Sequence, residues 1–252
     1  MKLKVIYLNL WEGGLLMPAV IDFLRQESPQ IVCLQEVYGG VDVKLEERFR
    51  SIPVLKSALG YKYHHFAGAM IDRRWSQPLE EGNLILSNFP LDNPQVIFFD
   101  VPFGERVDDE NFDYSYTPRN LQLVEATVNN QVFNILNVQG IWGFDGYDNE
   151  RRLKMAQTIV DCLSNKANVI LGGDFNIDIN TQAIRNIETK LTNVFKGELK
   201  SSFNMLRKDN PGYATAVVDM IFMSPNLKIA NHYCPAVDIS DHLPLVLELD
   251  IA

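Results

Sequence analysis

The chain has 252 residues, of which 46% are hydrophobic, enough to bury a sizeable core in one domain and to exclude a disordered chain. A formal net charge of −9 argues against indiscriminate binding to nucleic acid or to anionic membrane, although a divalent cation in an acidic site would reverse the local sign. Cys33, Cys162 and Cys234 are widely spaced and odd in number, so neither a disulfide framework nor a cysteine metal site is expected, and a reducing, cytoplasmic setting fits best.

The opening "MKLKVIYLNLWEGG" reads as a first strand: Asn9 and Glu12 interrupt its apolar run, and no small-residue cleavage site follows. In "LLMPAVIDFLRQESP", Leu16, Val20, Phe23 and Leu24 fall at helical spacing, with Pro29 just past the end. The apolar "QIVCLQEV" then completes a strand, helix, strand unit, expected to be parallel and right-handed. Residues 42–59 look helical, and "YKYHHFAG", "GNLILSNFP" and "PQVIFFDVPF" read as strands between turn residues. Residues 102–118 form a polar, acidic loop, expected to be a solvated insertion able to gate a cleft rather than a metal site.

"RNLQLVEATV" and "QVFNILNVQGIW", joined through Asn129 and Asn130, carry the signature of a hairpin. A helix follows in "DNERRLKMAQTIVDCL", with Leu153, Ala156, Ile159, Val160 and Leu163 on one face and Asp148 as its expected N-cap. "NVILGGDF" is the strand that this helix feeds. Beyond it come a short helix, a polar stretch over 197–215 and the strands "VVDMIFMSP" and "HLPLVLEL". There is no internal repeat and no composition break, so residues 1–252 are read as a single domain, and no apolar run approaches the roughly 20 residues of a membrane span. Stable membrane association is not expected, and the chain is expected to be monomeric.

Polar residues recur at the ends of the apolar strands. Asn9 closes "KVIYLN", Glu36 closes "IVCLQE", and Asp174 with Asn176 follows the glycine pair of "NVILGGDFN". Asp219 interrupts "AVVDMIF", and Asp241 with His242 opens the last strand. An Asx turn accounts for any one of them singly. Together they supply carboxylates, amides and an imidazole with no cysteine, a set suited to a hard cation such as Mg²⁺ or Mn²⁺, with zinc the weaker match. His64 and His65 alternate faces in an aromatic strand and are read as packing residues, whereas Trp11, Trp75 and Trp142 are candidates to line a groove.

In their order, "YLNLWEGG", "IVCLQEV", "GNLILSNFP", "TPRNLQLVEA", "NVQGIWG", "LGGDFNIDI", "VDMIF" and "ISDHLPLVLEL" resemble the motifs of the endonuclease/exonuclease/phosphatase superfamily across residues 5–249. The resemblance implies a four-layered α/β sandwich, two mixed β-sheets packed face to face with helices outside. It also implies a Mg²⁺-dependent or Mn²⁺-dependent phosphoesterase, cleaving a phosphodiester by in-line attack of an activated water. In that scheme Glu36 binds the metal, with Asn9 and Asp241 as further ligands. Asp174 orients or deprotonates the water, Asn176 holds a nonbridging oxygen, and His242, held by Asp219, contacts the scissile phosphate together with Arg119. The substrate is a phosphate ester, nucleic acid among the classes left open.

Gln139 departs from the pattern, standing where the family carries His or Tyr. Its amide can donate to a phosphate oxygen but cannot titrate, which leaves His242 as the side chain with the reference pKa nearest neutrality. Two other readings stay open at this level: a phosphomonoesterase acting on a small molecule or lipid headgroup, and a catalytically degenerate phosphate-binding module.

Overall fold

The computed structural model describes residues 1–107, 109 and 112–251. In chain order the first half contains β1 (Lys2–Asn9), α1 (Met17–Glu27), β2 (Ile31–Tyr38), α2 (Ser51–Leu59), β3 (Tyr63–Asp72), β4 (Leu79–Ser87), β5 (Leu91–Phe98) and the short β6 (Gly104–Arg106). The second half contains β7 (Asn120–Val128), β8 (Gln131–Gln139), α3 (Glu150–Cys162), β9 (Val169–Asp174), α4 (Gln182–Glu188), β10 (Thr192–Asn193), β11 (Asp219–Met223), β12 (Lys228–Tyr233) and β13 (Leu245–Asp250).

These strands form two mixed sheets, ordered β12-β13-β1-β2-β4-β3-β6 and β10-β11-β9-β8-β7-β5. The pleat explains why. In β1, Leu3, Val5 and Tyr7 point inward and pack with Val124, Phe133, Ile135 and Ile170 of the second sheet. Ile6, Leu8 and Leu10 point the other way, onto Val20, Phe23 and Leu24 of α1 and Leu55 of α2. Both faces of the strand are therefore buried, which is why its sequence is nearly continuous in apolar residues. The second sheet repeats the arrangement, with Leu121, Leu136, Val138 and Leu171 covered by Met155, Ala156 and Ile159 of α3 and Ile184 and Ile187 of α4. Helix, sheet, sheet, helix is the four-layered sandwich expected from the sequence.

The glycine pair before Asp174 is required by this packing. A Cβ at Gly172 would lie 2.9 Å from the Tyr7 ring, and one at Gly173 would lie 2.1 Å from the Val138 carbonyl oxygen, at a φ of +132°. Tyr7 uses the space, its hydroxyl lying 3.1 and 3.2 Å from the carbonyls of Leu136 and Ile170.

Several local expectations change. Residues 42–46 are not helical; a 3-10 turn over Glu47–Arg50 precedes α2. Asn149, not Asp148, caps α3 by accepting from the Arg152 N–H, while Asp148 accepts from the N–H groups of Gln182 and Ala183 and so caps α4. The buried face of α3 is Arg152, Met155, Ala156 and Ile159, with Leu153 and Val160 only partly covered. The hairpin turns through Asn129 and Asn130 at φ +49° and +63°, as its two asparagines predict. The three cysteines are free, and among the described residues no helix is long and apolar enough to cross a membrane.

Candidate active site

Sheet register brings the strand ends together. β1 runs parallel to β2 and β8 parallel to β9, so their C-terminal ends share one rim. Within the second sheet Gln139, Asp174 and Asp219 occupy one row, Asp174 being paired with Gln139 on one side and Asp219 on the other. Asn9 comes to this rim from the first sheet and bridges the two, its Nδ2 donating to Glu36 Oε1 at 3.0 Å and to Asp174 Oδ2 at 3.1 Å.

Glu36 does not end its strand, as the sequence suggested. It sits inside β2 at a bulge, where pairing with β4 shifts between Leu34 and Val37, and its φ is +57°. A bulge re-aims a side chain that regular alternation would direct elsewhere. Trp11 and Glu12 also adopt positive φ, of +59° and +49°. The strained turn is fixed from several sides. Asn9 Oδ1 accepts from the Trp11 N–H at 2.9 Å, and the Glu12 N–H donates to Glu36 Oε2 at 2.9 Å. Arg48 and Arg74 both ion-pair with the Glu12 carboxylate. Such outliers persist where the surroundings over-determine them, and they cluster at functional sites.

The electrostatics differentiate the acids. Burial works to raise the Glu36 pKa, but the Glu12 N–H, the Asn9 amide and the charges of Arg119 and His242 outweigh it and keep the carboxyl below its ordinary range. Asp174 goes the other way: burial, with the charges of Asp219 and Glu36, pushes it to about 6 against the pull of His242 and the Asn176 N–H. Burial opposes the charge on His242, yet Asp219, Asp174 and Asp241 surround it and lift it to about 10. Its Nδ1–H donates to Asp219 Oδ2 at 2.8 Å. His242 is thus an imidazolium throughout the neutral range, not a group titrating near neutrality.

Asn176, at φ +55°, donates its Nδ2 to the Gly140 carbonyl at 3.1 Å, and its N–H caps Asp174 Oδ1 at 2.9 Å. Asp241 and His242 lie in the turn before β13 rather than on it; Asp241 is ion-paired with Lys208. Arg119 precedes β7 and is nearly buried, 3.9 Å from Glu81. Glu36, Asp174, Asn176, Arg119, Asp241 and His242 all line one cleft of about 650 Å³, together with Trp11 and Trp142. Gln139 stands behind it: its Nε2 donates to Glu36 Oε1 at 3.2 Å, which orients the carboxylate instead of presenting the amide to a ligand.

Asp174, Asp219 and His242 place ligand atoms within 4.8 Å of one another, a spacing that a cation could use. His242 Nδ1 and Asp219 Oδ2 are already joined by a hydrogen bond, so the group also suits an acid–base assembly. Glu36 and Asp241 also open on the cleft, Asp241 paired with Lys208, and both are anionic oxygen donors of the kind a hard divalent cation takes. Asn9 Oδ1 is already engaged by the Trp11 N–H.

Trp75 is a packing residue, donating to Tyr38 and Asp72, and neither His64 nor His65 lines the cleft; His65 meets Gln122 between the sheets. The acidic loop does contribute, through Arg106, Tyr114 and Thr117 in the cleft wall, while Asp108, Glu110 and Asn111 lie outside the described residues. Sequence reading missed Arg152, fully buried, which donates to the carbonyls of Ile141, Tyr147 and Asn176 and ties the Asn176 turn to α3. A signal existed: Arg152 precedes Met155, Ala156 and Ile159 by three, four and seven residues, on the apolar face. Lys208 and Glu81 carried no such signal.

A model of the Endonuclease/Exonuclease/phosphatase family matches residues 6–242. No curated protein matches the chain. Among solved structures, an endonuclease/exonuclease/phosphatase from Bacteroides vulgatus is 16% identical with a TM-score of 0.73, covering 100% of both chains. The mannosyl-6-phosphatase of Bacteroides thetaiotaomicron is 17% identical with a TM-score of 0.67, over 99% of this chain and 100% of that one. D. rerio TDP2, solved with a single-strand DNA product, is 15% identical with a TM-score of 0.71, over 99% of each chain. These likenesses establish a common fold.

Proposed function

The chain belongs to the endonuclease/exonuclease/phosphatase family, and from that premise we propose that it is a Mg²⁺-dependent or Mn²⁺-dependent phosphoesterase that hydrolyses a phosphodiester. The observation that carries the reading is the division of labour on one cleft: an acid held ionised, Glu36, opposite an acid poised near 6, Asp174, beside an imidazolium fixed by Asp219. Members of this family generally hydrolyse phosphoesters, and the mannosyl-6-phosphatase and the DNA-bound TDP2 among the similar structures are consistent with either a small or a polymeric ester.

In-line displacement at phosphorus needs a positioned nucleophile and donors for the developing charge. Asp174, fixed by Asn9 and the Asn176 N–H, accepts the proton of the attacking water. His242 and Arg119 donate to the phosphate oxygens, and the Asn176 amide, now resting on the Gly140 carbonyl, is within the same cleft to do likewise. Glu36, with Asn9 and Asp241, would hold the divalent cation, which would supply Lewis-acid polarisation of the phosphate when bound. A degenerate binding module would have little need to keep a water base and an ionised metal acid together.

The direct test is hydrolysis of bis-p-nitrophenyl phosphate with Mg²⁺, with Mn²⁺ and with EDTA. Turnover that requires metal is expected. Faster turnover of p-nitrophenyl phosphate would instead assign a monoesterase, and no turnover of either would leave a phosphate-binding module.

A further inference from the structure

The turn beside Glu36 is wound left-handed. Four successive residues, Trp11, Glu12, Gly13 and Gly14, have φ of +59°, +49°, +81° and +100°. Glycine adopts such values freely; a tryptophan and a glutamate do not, because their Cβ atoms crowd the following carbonyl oxygen. Inside the turn the N–H groups of Gly14 and Leu15 both donate to the Trp11 carbonyl. The two N–H groups between go to Glu36: that of Glu12 to Oε2 at 2.9 Å, and that of Gly13 to the backbone carbonyl at 2.8 Å. Relaxation of Trp11 or Glu12 to right-handed dihedrals would swing these N–H groups off Glu36.

What holds the turn lies outside it. The Glu12 carboxylate has an arginine on each oxygen, Arg48 Nη1 at 3.6 Å from Oε2 and Arg74 Nη1 at 3.3 Å from Oε1. Both arginines are themselves fixed. Their guanidinium groups lie 4.7 and 5.1 Å from the Trp75 ring. Arg74 also donates to the buried Asp72 at 2.6 and 3.0 Å, and Asp72 accepts in turn from the Tyr38 hydroxyl and the Trp75 indole. The Ser51 hydroxyl lies 2.8 Å from the Gly13 carbonyl and 2.6 Å from that of Arg48, which ties the turn to the 3-10 segment carrying Arg48. Glu12 and Arg74 border the cleft, and Arg48 does not.

A solvated ion pair on two loose side chains holds little. Here the Arg74, Arg48 and Glu12 side chains are only 14, 16 and 32% exposed, and the arginines are locked against an aromatic ring. We propose that Arg48 and Arg74 are positioning residues for Glu36: each grips one oxygen of the Glu12 carboxylate, and the grip keeps the turn left-handed so that the Glu12 N–H stays on the Glu36 carboxylate. Glu12 thus acts through its backbone, with its side chain as the handle. On the metal reading given above, on which this inference builds, the clamp presets the carboxylate that takes the cation.

Two measurements test the clamp and separate it from the metal reading. The first needs no metal: hydrogen exchange of the Glu12 amide, followed by NMR. Arg48→Met should speed it at least about tenfold while the amides of β1 keep their rates, since the opening is local. The second is Mn²⁺ affinity by calorimetry. Arg48→Met removes a cation near the site, and charge alone would tighten Mn²⁺ binding. Loss of the clamp should instead weaken it roughly tenfold, the low end for a partner that orients a metal ligand. Glycine at position 12 takes the left-handed turn unaided and bypasses the clamp. Glu12→Gly is therefore expected to bind Mn²⁺ within about threefold of the native protein and Glu12→Ala about tenfold more weakly, and adding Arg48→Met to Glu12→Gly should change nothing further. Unchanged exchange at Glu12 in Arg48→Met overturns the clamp. Equal losses of Mn²⁺ affinity in Glu12→Gly and Glu12→Ala also overturn it, because the carboxylate itself would then be the ligand. So does Mn²⁺ binding that Glu36→Gln weakens and Arg48→Met does not. If the Glu12 amide responds as expected but neither Glu36→Gln nor any clamp variant alters Mn²⁺ affinity, the metal reading fails and the clamp on Glu36 stands.

Discussion

Glu36, half-buried, and Asp174, buried, are carboxyls on one rim, yet their surroundings separate them, and substitutions should show it. Glu36→Gln keeps the shape and removes a charge stabilised by the Glu12 N–H and the Asn9 amide, so Mn²⁺ affinity, read by calorimetry, should fall at least about tenfold with folding little affected. Unchanged affinity would move the cation elsewhere. Asp174→Asn should lower turnover by at least about 10²-fold, the low end of general-base effects. With Asp174 near 6 and His242 near 10, the wild-type rate should rise through pH 6 and hold a plateau to about pH 9. A second limb near pH 7 would contradict the imidazolium assignment. Gln139, which the family pattern placed on the phosphate, donates to Glu36 instead. Gln139→Ala should therefore raise the Mg²⁺ concentration needed for half-maximal rate and leave the rate at saturating Mg²⁺ nearly unchanged; a lowered saturating rate with normal Mg²⁺ dependence would restore the phosphate-donor role.

At the scale of elements, the helices are joined to the rim by capping side chains and by one buried arginine. Asn149→Ala removes the α3 cap and should cost about 1 kcal/mol in chemical denaturation, with activity unaltered. Arg152 belongs to a different class, because α3 uses it to hold the carbonyls around Asn176. The β2 bulge is the other device at this scale: one residue of altered register turns Glu36 toward the cleft, while Ile31–Leu34 before it keep both faces apolar.

Across the whole molecule, the two sheets are held by side chains between them. Phe133, buried in the central layer, should lose about 3–5 kcal/mol of stability on truncation to Ala. The site also opposes stability at alkaline pH. His242 has a folded pKa of about 10, above its unfolded value, so its stabilising contribution is complete below the unfolded pKa and is lost as pH rises through 10. Asp174 is likewise raised, to about 6, and its contribution is lost as pH rises through 6. The metal-free melting temperature should therefore fall between pH 6.5 and pH 9.5, and Asp219→Asn should flatten that slope, since Asp219 supplies the leading charge on His242. A slope unchanged in the variant would assign the pH dependence to other groups.

The strands, their doubly buried character and the polar residues at their ends were legible in the sequence, because side-chain alternation and strand termination are local and leave their pattern in adjacent residues. Asn9, Asp174, Asn176, Asp219, Asp241 and His242 were identifiable on that basis, while the layered fold was legible through the family resemblance of the ordered motifs. What decided the rest is register between segments distant in the chain. Only sheet pairing sets Asp219 beside Asp174, only a bulge aims Glu36, and only the approach of the two sheets turns the Gln139 amide onto Glu36. The cleft wall is of the same kind: Glu81, Arg106, Thr117 and Trp142 come from separate strands and loops, and no local pattern relates them. That Arg106 Nε and Thr117 Oγ1 lack hydrogen-bond partners among the described residues became visible only when tertiary packing removed the water around them.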